Sequence, residues 1–192
     1  MSEKCWYSVN IDVSNALRKD YVFPTPTGAY GIWQPPALTI FSKEWLDYTA
    51  SVGLSVVNAM LFYRGPHAST KDAHIDITTA KPLSITNFAI NWCIGGKGST
   101  MAWYEPKPVT NEDMQYTMAG TAYVTWPIAS LKEIERVSIE SQLTLVKTGI
   151  PHSIFMQEDP RWTISARTLL KDNKPWDEIV KHLRSKNLLV ER

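Results

Sequence analysis

Cysteine is scarce: the 192 residues contain only two, Cys5 and Cys93. That excludes a disulfide framework and a four-cysteine zinc site, and leaves at most one bridge. Runs of one charge are lacking as well. Twenty basic residues face nineteen acidic ones, for a net charge of +1, and no basic cluster marks a nucleic-acid or anionic-membrane surface. The charges read as a solvated surface. No window approaches the eighteen or so consecutive apolar residues of a membrane-spanning helix. The opening residues, Met1 to Trp6, are polar and lack the apolar stretch of a signal peptide. The expectation is a soluble, cytoplasmic protein with no nucleic-acid and no membrane partner. Histidine is sparse too, at four residues, so the place of each one carries weight.

What is plentiful is aromatic and β-branched sequence cut by proline: eight Trp, eight Tyr and twelve Pro. This composition favours strands separated by turns, in a chain long enough for one substantial core and short of two ordinary domains. One domain over 1–192 is expected, in three parts: an N-terminal arm and helix over 1–53, a core over 54–170, and a C-terminal helix over 171–192.

In the arm, Phe23-Pro24-Thr25-Pro26 and Gln34-Pro35-Pro36 are turn clusters between short apolar pieces. A helix is predicted near residues 42–52, capped by Ser42, with Glu44 in its first turn and Trp45, Tyr48 and Thr49 on one face. Residues 55–64 read as a buried strand ended by Gly65-Pro66, and 83–94 as another. Gly95-Gly96-Lys97-Gly98 reads as a hairpin turn into a strand at 99–104. Residues 105–120 carry Pro106, Pro108 and the cap-like Thr110-Asn111-Glu112-Asp113, which predicts a lid or specificity loop with a helical turn or two. Strands are expected at 123–126, 136–139, 143–148, 152–156 and 161–170. A second helix near 175–187 presents Trp176, Ile179, Val180 and Leu183 on one face. Many short strands with turns about every ten residues, and helices toward the ends, predict a mainly β fold: a sandwich or jelly roll.

Within the strand-like stretch Ala73-His74-Ile75-Asp76-Ile77, His74 and Asp76 are two residues apart and therefore share a face, so one metal ion can take a ligand from each. A third ligand is needed, and His152, at the junction of a turn and a strand, is the best placed. Nine positions on, Arg161 heads another strand-like run. Two imidazoles and a carboxylate on one face of an octahedron leave three positions open, the facial arrangement that suits non-haem iron(II) oxygenases. The plainer alternatives are a chance His-x-Asp and a histidine that only bonds a turn.

The run Val146-Lys-Thr-Gly-Ile-Pro-His152-Ser-Ile, followed by Asp159-Pro160-Arg161-Trp-Thr-Ile-Ser-Ala-Arg167, resembles the matching segment of iron(II)- and 2-oxoglutarate-dependent dioxygenases of the aspartyl/asparaginyl β-hydroxylase-like and prolyl hydroxylase-like groups. Phe88 to Ile94 is similar to the core strand of that family, and the likeness covers residues 54–167 patchily. It implies a double-stranded β-helix (jelly-roll, cupin-like) core, with iron(II) held by His74, Asp76 and His152. It also implies that Arg161 pairs with the distal carboxylate of 2-oxoglutarate through a charge-assisted fork, with Thr163 adding a hydroxyl and Asn91 a further polar contact to this cosubstrate. The implied activity is hydroxylation of an amino-acid, peptide side-chain or small-metabolite carbon, using dioxygen and turning 2-oxoglutarate into succinate and carbon dioxide.

For Asn91, simple backbone pairing is an equal alternative. Arg167 shares the face of Arg161 and rivals it for the carboxylate, but reads as a strand-end charge; Arg64 reads as solvated. Trp103 and Tyr104 fit either a pocket mouth or the core. Substrate specificity is expected from 20–40 and 105–120. Two other classes stay open: a cupin-like metalloenzyme that does not use 2-oxoglutarate, and a non-enzymatic β-sandwich.

Overall fold

The computed structural model describes residues 4–79, 83–110, 113–117, 120, 122–141, 143–168 and 174–190. The chain is mainly β, folded as two antiparallel sheets that do not close into a barrel. In chain order the strands are β1 (Trp6–Val9), β2 (Tyr30–Trp33), β3 (Val56–Arg64), β4 (Asp72–Thr79), β5 (Ser84–Ile85), β6 (Phe88–Gly95), β7 (Thr100–Tyr104), β8 (Met114–Tyr116), β9 (Ala122–Pro127), β10 (Glu133–Ser138), β11 (Leu143–Lys147), β12 (His152–Phe155), β13 (Arg161–Thr168) and β14 (Leu189–Val190). The first sheet has the order β14-β1-β11-β6-β13-β3-β2. The second runs β10-β7-β12-β4-β9-β8, with β5 added to β4. From β3 to β13 the chain passes back and forth between the sheets.

Three α-helices among the described residues, α1 (Ala37–Ile40), α2 (Lys43–Ser51) and α3 (Trp176–Ser185), pack against the first sheet. Ser42 caps α2 by accepting from the Trp45 backbone N–H at 3.2 Å. The helix stops before Gly53, whose φ of 86° is costly for other residues. Trp45 and Thr49 are buried as expected, but Tyr48 is 44% exposed. Helix α3 buries the four predicted residues, Trp176, Ile179, Val180 and Leu183.

Side-chain alternation on the first sheet positions the site. On β13, Ile164 and Ala166, with Trp162 beside them, pack with Ile40, Phe41 and the apolar face of α3, while Arg161, Thr163, Ser165 and Arg167 point the other way, into a cavity facing the second sheet. Strand β3 divides likewise, with Ala59 and Leu61 toward the helices and Phe62 and Arg64 toward the cavity. The polar face of these strands is an interior face. The second sheet sends His74, Asp76, His152 and Ile154 inward, and Ile75 and Ile77 into a separate cluster with Val124.

Two expectations need correction and a third an addition. Residues 95–98 do not close a hairpin: β6 pairs with β11 and β13, whereas β7 pairs with β10 and β12. The three glycines there, each with φ between 72° and 76°, carry the chain from one sheet to the other. The strand expected over 83–94 is two strands, β5 and β6, in different sheets. Within 105–120 the chain adds an edge strand, β8, to β9. Residues 111 and 112 of the expected cap lie outside the described residues, as do 169 and 170 of the last expected strand. No helix among the described residues is long and apolar enough to cross a membrane.

Candidate metal centre and its arginine-lined cavity

His74 on β4 and His152 on β12 are direct cross-strand partners, and their ring centroids lie 4.3 Å apart. Asp76, two residues along β4, reaches the same space, with Oδ1 3.6 Å from Nε2 of His74. One donor atom from each of these three residues falls within 4.8 Å of the others. Among the described residues this is one group of His, Cys, Asp and Glu able to hold a metal ion.

The protonation states suit a metal. Burial pushes His74 down to about 3, helped by His152 and opposed by Asp76. Burial also lowers His152. Both rings are therefore neutral near pH 7, with a lone pair to donate, and the approach of His74 to Asp76 is no ion pair. Nδ1 of His152 is 3.0 Å from the Ile150 carbonyl oxygen; a carbonyl only accepts, so Nδ1 carries the proton and Nε2 is the free donor atom. For Asp76, burial acts to raise the pKa, but the surroundings, the Arg167 guanidinium foremost, outweigh it and the carboxyl sits below its ordinary range. Arg167 Nη2 lies 3.2 Å from Asp76 Oδ2.

Arg161, 2% exposed, lines the same cavity. Its Nε donates to Thr163 Oγ1 at 2.9 Å and its Nη1 lies 3.5 Å from Ser99 Oγ. Among the described residues no carboxylate pairs with it, and Nη2 has no partner. Gly96 makes room for this side chain, since a Cβ at Gly96 would lie 2.8 Å from Arg161 Cβ and 2.9 Å from Cδ. Asn91 faces the cavity from β6, and its buried Oδ1 has no hydrogen-bond partner. A polar atom buried in that state costs about 1–3 kcal/mol unless a ligand or water meets it. A cavity of about 70 Å³ remains, room for about five waters.

Every residue expected at the site therefore lines one cavity: His74, Asp76 and His152 at one side, Arg161, Thr163 and Asn91 across from them. The donor set fits a metal on the chemistry just given. Arg167 and Arg64 depart from their expected solvated roles. Arg167 is a partly buried partner of Asp76, and Arg64 lines the cavity from β3, where burial and Arg161 push its pKa down to about 10. The alternation of β13 could have placed Arg167, but its polar face reads as solvent-facing until the second sheet is known to cover it. Ser99 and Gly96 carry no local signal. Trp103 and Tyr104 are core, not pocket mouth: the Trp103 indole N–H donates to the Lys147 carbonyl oxygen at 2.7 Å, and the Tyr104 hydroxyl lies 3.0 Å from Ser153 Oγ. Among the described residues none of 20–40 or 105–120 lines the cavity, although Tyr30 of the arm lies over the Arg64 guanidinium. His182, 3.1 Å from the Val52 carbonyl oxygen, belongs to the helical layer.

No protein-family model matches the chain, and no curated protein matches it.

Proposed function

We propose that this protein is an iron(II)- and 2-oxoglutarate-dependent oxygenase that hydroxylates a carbon of an amino acid, a peptide side chain or a small metabolite. The observation that carries the reading is the pairing of two sites in one cavity: a His-Asp-His donor group and, on the opposing sheet, a buried arginine with no acidic partner among the described residues. A metal centre alone fits many chemistries. A metal centre facing an unpaired guanidinium fits a ligand with a chelating end and a carboxylate end.

The strand order supports the expected double-stranded β-helix. Eight strands, β3, β4, β6, β7, β10, β11, β12 and β13, divide as β3-β13-β6-β11 and β10-β7-β12-β4. Counted one to eight, these are 1-8-3-6 and 5-4-7-2, an order consistent with the double Greek key that a jelly roll would have. Fold alone does not choose an activity; the residues of the cavity do.

In this reading His74, Asp76 and His152 hold iron(II), which supplies oxygen activation coupled to the decarboxylation of 2-oxoglutarate. Arg161 holds the distal carboxylate with the unpaired end of its guanidinium, while Thr163 and Ser99 fix the orientation of the fork. Asn91 offers its amide to the same ligand. Phe62, Met101 and Ile154 give the cavity apolar walls that limit water around the reacting groups. Arg167 keeps the Asp76 carboxylate charged and oriented.

The test is anaerobic titration of the protein with iron(II) and 2-oxoglutarate, following the weak visible charge-transfer band of the ternary complex. The expected result is a band that saturates at one iron per chain and is lost in His74→Ala. A well-folded wild type with no band, indistinguishable from His74→Ala, sinks the proposal.

A further inference from the structure

We propose that Arg64 forms a second anion subsite, on the outer side of the cavity from Arg161, and that it holds an acidic group of the substrate. Among the described residues three arginines line the cavity, Arg64, Arg161 and Arg167, and one carboxylate, Asp76. Arg167 already pairs with that carboxylate. Arg64 and Arg161 remain, directly opposite one another on β3 and β13. Two partly desolvated like charges side by side are unfavourable without a counter-charge. Arg161 accounts for one anion in the oxygenase reading, and one guanidinium is left over.

The partners of Arg64 are weak. Nη1 lies 3.5 Å from the Ala68 carbonyl oxygen, at the limit of a hydrogen bond, and the guanidinium carbon is 5.5 Å from the Tyr30 ring centroid. Among the described residues no carboxylate is within ion-pair reach. Most of its five N–H donors are thus open to a planar oxyanion, which guanidinium binds in a two-pronged way.

Depth separates the two arginines. Arg161 is 2% exposed, whereas Arg64 is only half-buried beside Tyr30, which is 52% exposed. A ligand bound first and deepest takes Arg161, and one arriving afterwards from the Tyr30 side meets Arg64. Phe62, two residues before Arg64 on the same face, gives the carbon portion of that ligand an apolar wall. The substrate class is an organic acid with a small carbon frame, its oxyanion a carboxylate or a phosphate. Assigning this anion to the substrate rests on the oxygenase reading; the anion site itself does not.

Thermal unfolding of the full chain at constant ionic strength, with propionate, methyl phosphate or propionamide, tests the site. In Arg161→Met, where the deeper site is removed, one or both anions should raise the melting temperature saturably and propionamide should not. Which anion does so identifies the oxyanion. Adding Arg64→Met should move the half-saturating concentration up at least tenfold, while Arg64→Lys, which keeps the charge, should lose less. In manganese-loaded protein, Arg64→Met should bind 2-oxoglutarate as tightly as wild type does. Equal responses to propionate, methyl phosphate and propionamide overturn the proposal. So does a loss of 2-oxoglutarate binding in Arg64→Met as large as in Arg161→Met, because both arginines would then grip one ligand. An Arg64-dependent anion response in a protein that binds no 2-oxoglutarate sustains the subsite and removes the oxygenase reading alone.

Discussion

Arg167 Nη2 holds Oδ2 of Asp76 at 3.2 Å, while Oδ1 of the same carboxylate is the atom that approaches Nε2 of His74. The two oxygens have separate partners. Oδ1 is therefore the oxygen that Asp76 would offer to a metal held with the two imidazoles. Arg167→Met should lower metal affinity about 10- to 100-fold, as loss of an outer partner of a metal ligand does, measured by competition with a chromogenic chelator. Unchanged affinity would remove Arg167 from the metal site.

Arg161→Lys keeps the charge and discards the fork. Its expected effect is on the cosubstrate: a 2-oxoglutarate affinity lower by about 1.5–3 kcal/mol, the worth of a hydrogen bond to a charged group, with metal stoichiometry intact. Calorimetry on manganese-loaded protein reads both. Loss of metal binding instead would mean that Arg161 supports the fold of the donor group.

Gly96→Ala should act at a distance from the metal. The residue has φ of 72°, which costs a non-glycine residue about 1–2 kcal/mol, and the added methyl group would press on the Arg161 stem. The expected outcome is a modest fall in urea midpoint together with weaker 2-oxoglutarate binding and unaltered metal affinity. A stability loss with full cosubstrate affinity would show that the arginine relaxes past the methyl group.

Acid should destabilise the metal-free protein early. His74 in the folded chain is depressed to about 3 from an ordinary 6.5, and His152 is lowered too. Between those values the unfolded chain binds more protons than the folded one, so stability falls as pH drops from about 6.5 toward 3. Asp76, also depressed, adds to the loss below its ordinary 3.8, as its ion pair with Arg167 is protonated away. Urea midpoints measured from pH 7 to 4 should decline, and His74→Gln should flatten the decline. An equal slope in that variant would place the titration elsewhere.

Much of the strand content was legible because each strand obeys a local rule: β3, β11, β12 and β13 are apolar or alternating runs bounded by proline or glycine, and α2 and α3 carry a cap or an apolar stripe. What was not legible is which of two faces is inside. On β13 the sequence Arg-Trp-Thr-Ile-Ser-Ala-Arg alternates without fault, yet its polar side is interior and its apolar side meets helices. A strand covered on both faces has no solvent side to anchor the inference. Arg64 and Arg167 read as strand-end charges, because the layer that covers them is not visible in the sequence. Gly95 to Gly98 misled in a similar way, since a glycine-rich turn makes a hairpin or a sheet-to-sheet crossing with the same residues, and only long-range pairing decides between them. His74 and Asp76 were readable together because two residues along a strand is a fixed geometry. Their meeting with His152, 78 positions later, depended on its position at a turn-to-strand junction.

The direct pairing of His74 with His152 has a mechanical consequence. It is the one register pair that joins β4 to β12, whereas β4 meets β9 over six pairs and β12 meets β7 over four. The second sheet is therefore thinnest in backbone hydrogen bonds along the line where the donor residues meet. An ion bound there would act as a rivet across that seam, stabilising the folded chain by mass action, by an amount that grows with the logarithm of the free ion concentration above its dissociation constant. Stripped of metal, the sheet should open there first, and amide hydrogen exchange in β4 and β12 would sense it before either neighbour does.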